Sequence, residues 1–141
     1  MMIVSLMAAL ALVTPQDAPV MTAPPAAAPV ALPTEIAVQA PAVAAPDCGG
    51  LLRAPAFCVT ARMDEIGPLA ESYMRQLEEK GWIAADGDDN RVVFVKRREA
   101  GGCDGMQMVA FYDTTKPQDA EAPAFLGFAY VPGDVCANPG S

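Results

Sequence analysis

Apolar and polar positions follow a helical period in one stretch and a strand period in most of what comes after it. Ile66, Leu69, Ala70, Tyr73, Met74 and Leu77 recur three or four places apart and make one apolar stripe, with Glu71, Arg75 and Glu79 on the opposite side. This spacing predicts a helix capped by Asp64, with Pro68 in its first turn. Lys80-Gly81-Trp82 ends it, since Gly81 suits a left-handed position after the last turn. Phe57-Cys58-Val59-Thr60, ahead of the helix, is β-prone. Behind it come a brief strand at 82–85, a turn cluster at 86–90 and a strong strand at 91–98 built on Val92, Val93, Phe94 and Val95. Gly101-Gly102 then turns the chain into a long strand at 103–113, and a polar loop at 114–123 leads to a last strand at 124–131.

The order β-α-β-β-β-β predicts an α+β fold, one amphipathic helix packed on a mainly antiparallel sheet of four to five strands. A hairpin centred near residues 118–119 would place Val92, Phe94, Val109, Phe111, Leu126, Phe128 and Tyr130 on one face, a seat for the helix. The other face would collect Val93, Val95, Met106, Met108, Ala110, Tyr112, Ala129 and Val131, edged by Arg91 and Arg97. Both faces are then apolar, with one helix to cover them. Val93, Val95, Met106, Met108 and Tyr112 are therefore the candidate partner face, since methionine adapts to varied shapes. The competing reading is a second core layer, covered by the N-terminal tether or by residues 47–56.

The first 46 residues differ in kind. They carry two charges, Asp17 and Glu35, and no aromatic residue. Residues 1–18 hold an apolar run from Ile3 to Val13 of signal-peptide length, without a Lys or Arg before it and too short to span a bilayer. Residues 19–46 read as a Pro/Ala-rich disordered tether, because proline fixes φ and removes a backbone donor. Residues 47–141 are left as the folded domain, large enough for one modest core.

Four cysteines, Cys48, Cys58, Cys103 and Cys136, all fall in that domain. An even number in a small exported domain reads as two disulfides, whereas structural zinc wants closely spaced cysteine pairs. Spacing alone allows three connectivities. The strand register brings Cys103 roughly opposite Cys136, which leaves Cys48 to pair with Cys58 across a short loop. Export and disulfides together imply a periplasmic or extracellular location.

The chain has no histidine, which removes Ser-His-Asp and Cys-His catalysis and histidine-ligated metals. Asp86, Asp88, Asp89 and Asn90 do not follow the helix–loop–helix calcium pattern, since Gly87 is misplaced and Arg97 stands where Glu should. Gly101, Gly102 and Gly105 are not followed by the residues of a phosphate loop. Lys96-Arg97-Arg98 alternates faces on a strand and reads as an edge guard. No catalytic residue, cofactor or metal is expected. Net charge is −8 for the chain, and 15 acidic against 9 basic residues make it −6 for residues 47–141, which argues against nucleic acid and anionic lipid. The expected function is a non-enzymatic exported binding module, acting on a protein partner or a second copy through the apolar face or a strand edge, with no stable membrane association. An inhibitor of an exported enzyme, presenting the 86–90 or 114–123 loop, is the alternative, and a carboxylate-based enzyme comes last.

Overall fold

The computed structural model describes residues 33–136, so the expected signal segment and the first part of the tether lie outside the described residues. Strand β1 is Val43–Ala44, and a single 3-10 turn follows at Cys48–Gly50. Then come β2 (Phe57–Arg62), helix α1 (Met63–Glu79), β3 (Ile83–Gly87), β4 (Arg91–Arg97), β5 (Cys103–Tyr112) and β6 (Pro123–Val131). All six strands form one antiparallel sheet in the order β1-β2-β6-β5-β4-β3. The α+β fold stands, with one helix on an antiparallel sheet and two disulfides, Cys48–Cys58 and Cys103–Cys136. Among the described residues no helix is long and apolar enough to cross a membrane.

The helix forms where its apolar stripe predicts, and Leu69, Tyr73 and Leu77 are its buried residues. Its start differs from expectation. Arg62 is the cap residue, and the Glu65 carboxylate accepts the Arg62 N–H. Asp64 lies inside the first turn, where its charge favours the helix dipole and pairs with Arg62 at 2.9 Å. The Met63 and Asp64 N–H groups are satisfied by the carbonyls of Ala122 and Ala120, so the loop before β6 closes the helix end that lacks a side-chain cap. Pro68 sits one turn further in than expected. At the far end Gly81 takes φ +93°, and the Trp82 N–H returns to the Leu77 carbonyl.

The sheet has six strands rather than four or five, and the extra one comes from the stretch expected to be tether. Val43 pairs with Thr60 and Ala44 with Val59. Pro41 and Pro46 flank these two residues, and an edge strand tolerates proline because its outer side needs no donor. The packed chain therefore begins by Pro33, upstream of the expected boundary at Asp47. Ile36 is 3% exposed and Ala42 is buried, both in the core beneath the helix.

Strand β5 is turned over relative to expectation. Phe94 faces Met106 and Val92 faces Met108 on one side; Met106 faces Tyr130 and Met108 faces Phe128 on the other. Residues directly opposite share a face, so Met106, Met108 and Ala110 lie on the helix side with Val92, Phe94, Leu126 and Phe128. Val109 and Phe111 lie on the far side. Tyr112 pairs with Ala124, which centres the β5–β6 hairpin on residue 118. The half-residue difference from the expected centre is enough to exchange the two faces of a strand.

Candidate functional site

The far face of the sheet is only partly covered. Residues 45–56 fold over its β2–β6 half, held by the Cys48–Cys58 disulfide. There Ala45, Cys48, Ala56, Cys58 and Phe125 form a second small core, with Leu51, Leu52, Phe111 and Ala129 against it. Leu52, Ala54 and Pro55 reach as far as Gln107 and Val109 on β5. The reading in which residues 47–56 cover this face thus holds for one half of it.

The β3–β4 half has no such cover among the described residues. Val95 pairs with Ile83, and Val93 pairs with Asp86, so Ile83, Val93 and Val95 share the far face. Val93 and Val95 are half-buried, whereas Ile83 is 61% exposed. Arg91 and Arg97 end the same row of β4 at top and bottom, and both are exposed. Strand β3 closes the sheet with no strand beyond it among the described residues, and all five of its residues are exposed. A bulge at Ala85, between the Ala84 and Asp86 pairings, twists its upper half, and Asp86 adds a charge there. The regular half of the edge is Ile83–Ala84.

The five residues expected to form a partner face are thus separated. Val93 and Val95 stay together on the far face. Met106 and Met108 are 0% and 4% exposed, in the core with Tyr73, Leu77 and Phe128, and they cannot meet a partner without unfolding. Tyr112 stands at the sheet's end, lining a cleft of about 140 Å³ with Leu51, Met63, Lys116 and Phe125. Beside it the Thr115 hydroxyl, then the Thr115 N–H, hold the Asp113 carboxyl below its ordinary range. Ile83 was not singled out from the sequence. Its signal is a large apolar residue at the start of a short strand that otherwise holds only Ala, Asp and Gly.

Two further features frame this corner. On the helix side, Trp82 is buried with its indole N–H unpartnered among the described residues, and the Lys96 ammonium sits 5.9 Å above its ring. Lys96 also lies 3.6 Å from Glu35, which accepts the Tyr130 hydroxyl. At the bottom of the far face, Cys103, Asp134 and Cys136 bring three ligand-type atoms within 4.8 Å of one another. Both sulfurs are bonded to each other, so no thiolate is available there for a metal. In comparisons with known proteins, no family model, no curated protein and no solved structure matches the chain.

Proposed function

We propose that this protein is an exported, non-enzymatic binding module that holds a polypeptide partner at the β3–β4 corner. The observation that carries this reading is Ile83, 61% exposed beside Val93 and Val95 at an open sheet edge. An extended segment laid along Ile83–Ala84 would gain main-chain hydrogen bonds from the edge and would cover the three apolar side chains. Arg91 and Arg97 favour acidic residues at the ends of such a segment. A second copy fits less well, because each domain carries a net charge of −6 over residues 47–141. The two disulfides suit an oxidising compartment, which supports a periplasmic or extracellular site of action.

The test is affinity capture from the oxidising compartment with the full chain as bait. The reading expects a discrete partner held by the wild type, lost with Ile83→Asp and with Val95→Thr, and kept with Asp119→Ala. A partner that ignores the first two substitutions would contradict it.

The inhibitor reading has one observation in its favour. The 86–90 and 114–123 stretches lie at the same end of the sheet, and the Ala110 N–H donates to the Asn90 carbonyl at 2.7 Å. Replacing Asp88 and Asp89 with Lys would abolish inhibition on that reading and leave binding at Ile83 intact.

A further inference from the structure

The two disulfides differ in what surrounds them. Cys48 and Cys58 are both buried in the second core. Cys103 is 3% exposed, but its partner Cys136 is exposed. A cleft of about 230 Å³ opens at this bond, lined by Arg97, Arg98, Gly101, Gly102 and the two cysteines. Gly101 and Gly102 add no side chain of their own to the rim and both hold the positive φ that favours glycine, while the Asp134 carboxylate sits over Gly102. Arg98 is fixed there by Asp104 at 2.7 Å and by the Gly133 carbonyl at 2.8 Å. Arg97 pairs across the sheet with Cys103. Asp134 Oδ1 accepts the N–H groups of both Cys103 and Cys136, and the Asp134 carboxylate lies within 4.8 Å of both sulfurs. Two guanidinium groups and the carboxylates of Asp104 and Asp134 thus surround the bond among the described residues, with Arg98 paired to Asp104.

The geometry points to Cys103–Cys136 as a thiol-exchange site open to a small thiol, with Cys136 as the sulfur attacked. The incoming thiolate attacks Sγ of Cys136, the exposed sulfur. A new S–S bond forms there as the Cys103–Cys136 bond breaks, and the electron pair leaves on Sγ of Cys103, which takes a proton from water. No electron is gained or lost overall, because one disulfide replaces another. Arg97, opposite Cys103 on the neighbouring strand, favours the leaving thiolate there.

Opening this bond has a defined consequence for the sheet. Val135 lies over Gly105, where an added Cβ would come within 2.6 Å of a Val135 methyl. Gly105 pairs with Val95 on one side and Val131 on the other. Releasing Cys136 removes the covalent anchor of this cover next to Val95, leaving Val135 held by its N–H bond to the Cys103 carbonyl at 3.2 Å. The exchange chemistry itself does not depend on what binds at Ile83.

The experiment treats the oxidised full chain, under native conditions, with the tripeptide thiol γ-Glu-Cys-Gly or with cysteamine at equal thiolate concentration. Reactions are quenched by alkylation and mapped by peptide mass. The expected product is a mixed disulfide on Cys136 with Cys103 alkylated and Cys48–Cys58 intact. With either thiol, Cys103–Cys136 should open faster than Cys48–Cys58 by on the order of tenfold or more, and Arg97→Gln should slow that opening. Two results would overturn the inference: adduct on Cys103, or both disulfides opening at the same rate.

Discussion

The Tyr130 hydroxyl donates to Glu35 Oε2 across 2.7 Å, joining the last strand to a segment 95 residues earlier in the chain. Around that bond the segment from Pro33 to Ala45 is strapped across the helix. The Lys80 ammonium donates to the Glu35 carbonyl at 2.8 Å, and the Gln39 N–H donates to the Tyr73 hydroxyl at 2.9 Å. Ser72 also donates to the Gln39 side chain. Ile36 fills the core below. The strap therefore belongs to the folding unit. A chain beginning at residue 33 should unfold at the same denaturant concentration as the full chain, and one beginning at residue 47 should be much less stable. Ile36→Ala alone should cost about 2–4 kcal/mol, from lost burial and the cavity it leaves.

The same contact gives the fold an alkaline limit. Half of the Tyr130 side chain is exposed, but partial burial of its hydroxyl, then the hydrogen bond to Glu35 and the charge of Glu35, push its pKa up from 10.0 to about 12. The unfolded chain loses this proton near the ordinary value and the folded chain holds it longer. The stabilisation is complete below pH 10.0 and is lost as the pH rises to about 12. Tyr130→Phe should flatten the stability profile across that window and leave the acid side unchanged. The phenolate absorbance of the wild type should contain a late component that the variant lacks.

Core and surface positions on the sheet should separate cleanly in a substitution series. Met108 is buried against Phe128 and Val92, so Met108→Ala should cost about 2–4 kcal/mol, and Met108→Glu should prevent folding. Val93→Thr, on the half-buried far face, should cost about 1 kcal/mol or less. Urea unfolding of the oxidised proteins measures both. A Met108→Glu variant that folds and merely changes its association would return Met108 to the surface.

The helix and the strand order along the chain could be read from the sequence because each rests on a local signal, and the cysteine pairing followed from the approximate strand register. Leu69, Tyr73 and Leu77 repeat at helical spacing, and Gly81, Gly101 and Gly102 sit where positive φ is needed. The orientation of β5 was harder, since Met106, Met108, Val109 and Phe111 make both its faces apolar and leave little to choose between them. Gln107 was the usable clue: it belongs on the wetter side, and that puts Met106 and Met108 inward. The strap was hidden by its composition. Proline and alanine look the same in a tether as in an edge segment that is packed, and only Glu35, Ile36 and Gln39 stand out from that background. The candidate site was half legible, because Val93 and Val95 were found and Ile83 needed the sheet order to show that β3 is an edge.

The most direct measurement is site-specific photo-crosslinking in intact cells, with the reactive residue placed in turn at Ile83, Val95 and Asp119 of the full chain. A discrete cross-linked species at positions 83 and 95, absent at 119, is the result predicted for a partner bound at the β3–β4 corner. A species at 119 with none at 83 or 95 would move the contact surface to the 114–123 loop and contradict the account.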